Sequence, residues 1–230
     1  MDNEQYSQYY VAFLDILGFR NLVNNPKVLC GDILKIYKFL DQYNDMFFMF
    51  SKDGFEDMKN KIKMKIMSDS ICIYIEADAP NALWWLVSFC TLFQYNLLVI
   101  APCVFIRGGI TYGDMYAKDD TMFGPALTEA YLLEEYNARV PRIIMCKNIL
   151  DRGRAEANEQ FRKPLDSLVF RDDDAFYALD YFAFLGETVL PRINTTISSY
   201  LDTTTNESIR QKYLYIEKHI RRRLEEKTNV

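Results

Sequence analysis

Across residues 82–106 (ALWWLVSFCTLFQYNLLVIAPCVFI) no side chain carries a charge. A run of this length must be buried, either in a bilayer or at the centre of a protein core. Ser88, Thr91, Gln94, Tyr95 and Asn96 interrupt it, Pro102 divides it, and no basic flank precedes it. A buried helix followed by a central strand accounts for these features better than a membrane span does. The whole chain has 230 residues, half of them apolar and 15% aromatic. Such a chain can bury on the order of 70% of its unfolded surface, as one main domain with an appendage.

Charge narrows the function classes. A net charge of −5 argues against holding a nucleic acid backbone, since such binders present basic faces that displace counterions. Anionic ligands then need local groups or bound metal. The five cysteines (Cys30, Cys72, Cys90, Cys103, Cys146) are widely spaced, with no C-x-x-C pair, which points to a reducing compartment. The single histidine, His219, sits beside Arg221, Arg222 and Arg223 in a charged tail and is expected at the surface. Zinc chemistry and histidine-dependent triads therefore lack their parts. The opening MDNEQYSQYY does not have the basic and then apolar order of a signal peptide, so a cytoplasmic protein is expected.

Along the chain, residues 9–16 (YYVAFLDI) read as a strand that ends in a tight turn at Gly18, with Asp15 at its carboxyl end. After Pro26, Ile33, Ile36, Tyr37, Leu40, Tyr43 and Phe47 recur at helical spacing. Ile62, Met64 and Ile66 alternate with Lys61, Lys63 and Lys65, as in a strand buried on one face. Ser68-Asp69-Ser70 reads as a hairpin turn, with a second strand over 71–75. The apolar helix follows Pro80-Asn81, and a strand over 103–112 is broken by Gly108 and Gly109. Gly124-Pro125 opens a helix over 126–138. Short strands are expected at 142–146, 167–170 and 176–181, and helix from Pro191 onward. The pattern describes an α+β sheet with helices on one face.

Two carboxylates stand out. Asp15 ends a strand and Asp69 sits at a hairpin tip, so the two can meet at one sheet edge. Neighbouring carboxylates repel unless a cation neutralises them, which makes a divalent metal their natural complement. A plainer reading remains open, in which Asp15 caps the following helix and Asp69 supports the turn. Gly18 is similarly double: it either brings backbone N–H groups to a phosphate or simply turns the chain.

The motifs FLDILGF (13–19), SDS (68–70), RGGITYG (107–113) and FGPALTEAYLLE (123–134), in this order and spacing, resemble the pyrimidine cyclases of bacterial Pycsar antiphage systems, members of the class III nucleotidyl cyclase superfamily. The likeness spans about residues 9–142. It implies a ferredoxin-like α+β cyclase domain over 1–183 with a C-terminal helical extension over 184–230. It places Asp15 and Asp69 as ligands of two divalent ions, Mn2+ or Mg2+, with Ile16 lending a backbone carbonyl. Leu17, Gly18, Phe19 and Arg20 match a phosphate-cradling turn, and Arg107 matches an arginine that contacts the triphosphate. Lys63 falls near the base-reading position, where a solvated strand face is the competing explanation.

One departure from purine cyclases matters. Where they carry an asparagine and, four residues on, a transition-state arginine, this chain has Thr128 and Leu132. A leucine cannot supply that charge, and Arg107 or Arg139 is left to substitute. The resemblance implies a homodimeric uridylate cyclase that converts UTP to 3′,5′-cyclic UMP and signals to an effector in antiviral defence, with no nucleic acid or membrane partner. A cytidylate cyclase, a purine cyclase and a non-catalytic nucleotide-binding module are the alternatives.

Overall fold

A computed structural model describes residues 6–24, 36, 38, 39, 41–43, 58, 60–101, 104–186 and 189–228. Strand β1 (Ser7–Ile16) lies at the centre, antiparallel to β3 (Ser70–Glu76) on one side and to β4 (Ile106–Lys118) on the other. The remaining strands are β2 (Lys63–Met67), β5 (Thr121–Phe123), β6 (Ile143–Met145), β7 (Val169–Arg171) and β8 (Tyr177–Leu179). Together they make an eight-stranded sheet in the order β2-β3-β1-β4-β6-β8-β7, with β5 paired to β4 and with β4 and β6 parallel. The α+β class read from the sequence is the class observed.

Because side chains alternate along a strand, β1 serves two cores. Tyr10, Ala12, Leu14 and Ile16 face the main core, while Tyr9 and Val11 face the opposite side. Both faces are covered, which is why this strand is apolar almost throughout. Helix α1 (Phe19–Asn24) follows the turn at the end of β1. Residues 36, 38, 39 and 41–43 are helical, and Ile36, Phe39 and Tyr43 are buried; the expected positions Ile33, Tyr37, Leu40 and Phe47 lie outside the described residues.

The uncharged run forms helix α2 (Ala82–Ile100), which begins after Asn81 in a left-handed conformation. It is long and apolar enough to cross a membrane, and Trp85, Leu86, Phe89 and Phe93 are buried in the main core. Two of its buried polar residues, Thr91 and Gln94, find partners inside that core, while Ser88 Oγ and Trp84 Nε1 do not. Thr91 Oγ1 donates to Val87 O at 2.7 Å, and Gln94 Oε1 accepts from Ile106 N at 2.7 Å, so an apparent blemish fastens α2 to the start of β4.

Helix α3 (Pro125–Asn137) lies across the opposite face of β1 and β4 from the main helical layer. The expected break at Gly108-Gly109 does not occur: the β1–β4 register runs through both. A Cβ at Gly108 would fall 2.4 Å from Leu14 Cδ2, and one at Gly109 would fall 2.6 Å from Ala130 O. The glycines let α3 and Leu14 approach β4 closely.

Helices α4 (Lys147–Glu156) and α5 (Glu159–Ser167) were not expected from the sequence. Their charged surfaces carry few apolar side chains, and Gly153 and Pro164 break the helical pattern. A short 3-10 turn (Tyr181–Phe184) leads to α6 (Val189–Thr203) and α7 (Glu207–Thr228). These helices build a second core with Leu98 of α2 and Phe105, through Ile193, Ile197, Ile216 and Ile220. His219 belongs here and not at the surface: it is 6% exposed, stacked on Phe182 and against Phe170 and Tyr215. Burial, with smaller contributions from Lys218 and Arg222, pushes its pKa down to about 4.

Candidate active site

The end of β1 and the β2–β3 turn are tied together by backbone. Ile16 N donates to Asp69 O at 3.0 Å, and Leu17 N donates to Phe105 O at 2.9 Å. Ser68 has a φ of 62°, which turns the hairpin and places Asp69 at the same sheet edge as Asp15. The two aspartates are thus brought together although 54 positions separate them in sequence (69 − 15).

Asp15 and Arg107 are register partners on β1 and β4. Such directly opposed side chains meet on one sheet face. Arg107 Nε donates to Asp15 Oδ2 at 3.1 Å. It also lies 2.7 Å from Glu134 Oε1 on α3, and Arg107 Nη2 lies 3.9 Å from Glu135 Oε2. Since the Nε–H is aligned on Asp15, Glu134 Oε1 receives charge contact without a hydrogen bond.

One guanidinium therefore faces several acids. Burial raises the Asp15 pKa against the pull of Arg107, and the charge of Asp69 raises it further. Glu134, 2% exposed, is pushed up to about 7, first by burial and then by Asp15, Glu135 and Asp69, with Arg107 opposing. Lys212 of α7 is half-buried within electrostatic reach of the same groups. Burial and the Arg107 charge lower its pKa, and Asp15 opposes them.

Glu134 and Lys212 carried no assignment from the sequence. Glu134 ends the FGPALTEAYLLE motif, and Ala126, Ala130 and Glu134 recur every fourth residue on the buried face of α3, a pattern that was there to be read. Lys212 belongs to a helix whose position only tertiary structure reveals.

The other expected residues are more dispersed. Leu17 packs on the second core and Phe19 on the main core. Gly18 has a φ of +75° and open space around it, so the turn conformation, not crowding, demands glycine. Arg20 is exposed. Lys63 is exposed on the edge strand β2, four residues and about 13 Å of strand before its last residue, Met67. Thr128 is exposed and back-bonds to Gly124 O at 3.2 Å, Leu132 is 40% exposed, and Arg139 Nε donates to Tyr136 O at 3.1 Å. Of the two arginines suggested as substitutes, Arg107 is shared among carboxylates, while Arg139 is exposed and pairs with a backbone carbonyl and no described acid.

Among the described residues no three histidine, cysteine or acidic side chains converge as a ready metal cage. Hard divalent ions such as magnesium bind through one or two carboxylates, with phosphates and water completing the shell. An under-neutralised pair of oxygen donors at Asp15 and Asp69 suits that mode.

No family model and no curated protein matches the sequence. Among solved structures, the adenylyl cyclase CyaB from P. aeruginosa aligns over 76% of this chain and 94% of its own, at 15% identity and a TM-score of 0.49. The guanylyl cyclase domain of the RhoGC fusion protein from Blastocladiella emersonii aligns over 76% and 96%, at 13% identity and 0.49. A bacterial light-regulated adenylyl cyclase aligns over 85% and 98%, at 14% identity and 0.46.

Proposed function

We propose that this protein is a nucleotidyl cyclase of the class III type that converts UTP to 3′,5′-cyclic UMP and pyrophosphate. The observation that carries the reading is the union of Asp15, Asp69 and Arg107 at one sheet edge, closed by the Ile16 N to Asp69 O bond at 3.0 Å. The four motifs FLDILGF, SDS, RGGITYG and FGPALTEAYLLE support the superfamily and the pyrimidine choice.

Asp15 and Asp69, with the Ile16 carbonyl, are the groups that would hold two ions of Mn2+ or Mg2+, whose chemistry is to acidify the ribose 3′-hydroxyl and offset charge on departing pyrophosphate. The chain's own residues orient the substrate. Arg107 is held in place from two sides by Asp15 and Glu134, so its guanidinium meets a triphosphate already oriented. Within the turn from Leu17 to Arg20, opened by Gly18, the N–H groups that follow Leu17 are the backbone donors for phosphate oxygens, Leu17 N itself being taken by Phe105 O. Thr128 and Lys63 lie outside this cluster, and their substrate roles belong to a site shared between two copies of the chain. Tyr131, Leu132 and Tyr136 on the outer face of α3 are large, apolar and exposed, which favours a homodimer. In this reading the product acts as a second messenger for an effector in cytoplasmic antiviral defence.

Incubating purified protein with Mn2+ and all four ribonucleoside triphosphates, then identifying products by mass, tests the proposal. Cyclic UMP is expected to dominate. A dominant cyclic CMP overturns the base alone, a cyclic purine product overturns the pyrimidine class, and nucleotide binding without any product returns the protein to a binding module.

A further inference from the structure

The C-terminal helix α7 does more than cover the second core. Ile220 and Ile216 are both fully buried, and Lys212 lies one turn further along the same helical stripe. Phe105, which shares that core, accepts the hydrogen bond from Leu17 N just after Asp15. Leu17 itself packs against the core that holds Tyr213 and Tyr215. The buried stripe of α7 thus runs toward the aspartate end of β1 and delivers a half-buried ammonium there.

That ammonium has no salt bridge with any described residue, while Arg107 is already shared among Asp15, Glu134 and Glu135. Lys212 lies within electrostatic reach of Arg107 and Asp15, and two such partly desolvated cations repel unless a polyanion is bound beside them. Helix α3 (PALTEAYLLEEYN) carries no lysine or arginine to supply a further cation here. We infer that Lys212 is a triphosphate-binding residue of the Asp15–Asp69 site, so that the C-terminal helical pair completes the site. This inference rests on the cyclase reading for its substrate, but its phosphate chemistry stands on Lys212, Arg107 and Asp15 alone.

Two measurements on the full chain separate the inference from the cyclase reading. The first is calorimetric binding of inorganic tripolyphosphate with Mn2+ to the wild type, Lys212→Gln, Lys212→Arg and Lys218→Gln, a control on the same helix that pairs with Asp173. Lys212→Gln is expected to bind about tenfold more weakly or worse, Lys212→Arg within about threefold of wild type, and Lys218→Gln unchanged. The second is turnover with UTP, in which Lys212→Gln lowers kcat/KM by a similar factor and Lys212→Arg restores most of it. Thermal melting of each variant guards against a folding defect, and the arginine rescue separates charge from packing. Equal tripolyphosphate affinity in wild type and Lys212→Gln, or no binding by wild type, overturns the inference. Weakened binding in Lys212→Gln with no cyclic product from any nucleotide keeps it and sinks the cyclase reading instead.

Discussion

Two arginines in this protein are each embedded among carboxylates, to opposite effect. Arg142 is 7% exposed and donates to Asp172 Oδ2 at 2.6 Å, to Asp174 and to Asn137 O at 2.9 Å. Asp172 also accepts from Tyr215 OH and from the Asp173 N–H, each at 2.9 Å. Burial alone would raise its pKa, yet these bonds hold it below the usual carboxylate range. Around Arg107 the balance is reversed: burial wins, and Asp15 and Glu134 are both raised. One cluster has its buried acid fully bonded, although Arg142 Nε is left without a partner, and it clamps α7 to the β7–β8 turn. In the other, the carboxylates of Asp15 and Glu134 are left under-compensated, as expected where a divalent cation is to be received.

The comparison can be broken at several points. Asp15→Ala or Asp69→Ala should reduce product formation to background while the melting temperature moves by only a few degrees, because neither leaves a buried cavity. Near wild-type turnover with metal present would end the two-metal assignment. Arg142→Ala should cost ~3–5 kcal/mol in urea unfolding, since it strands a buried acid, whereas Arg107→Ala should cost under ~2 kcal/mol because Asp15 and Glu134 can take up protons. Equal losses would erase the contrast between the clusters.

Glu134→Gln sharpens it further. A carboxyl held at about 7 in the fold and near ~4.3 when unfolded binds its proton more tightly in the folded state, so it contributes stability at low pH that is lost as pH rises through 7. The substitution should therefore stabilise the metal-free protein by roughly 1–3 kcal/mol at pH 8 and flatten the profile between about pH 4 and 7. Asp172 has the opposite sign, its contribution being present above ~3.9 and lost in acid below that value. The smallest effect is expected from Tyr215→Phe, about 1 kcal/mol at neutral pH, with acid unfolding beginning at higher pH than in wild type.

Much of the site is legible in the amino-acid sequence. Local pattern marks Asp15 at a strand end and Asp69 at a hairpin tip, whereas Arg107, expected inside a strand over 103–112, is singled out only by the family resemblance. Glu134 is harder, because its burial depends on which face of α3 meets β4, and the close approach there needs the missing side chain at Gly109. Lys212 and His219 are hidden by their charged neighbours, since a tail rich in arginine reads as solvated until its opposite stripe is seen in the second core. The strict alternation read over 61–67 is not what β2 shows: Ile62, just before the strand, is buried, but Lys65 is covered like Met64 and Ile66 is 37% exposed, because an edge strand has less to pack against.

The bond between Ile16 N and Asp69 O also has a kinetic meaning. It joins the first strand to a hairpin some fifty residues later, and Arg107 comes from later still, so no contiguous segment holds the three groups by itself. Pairings so distant in sequence form only after long loops have closed, which places assembly of these groups among the slower events of folding. A partly folded chain therefore carries no fragment of the site, and the groups that would act on a nucleotide come together only in a molecule whose central sheet is already complete.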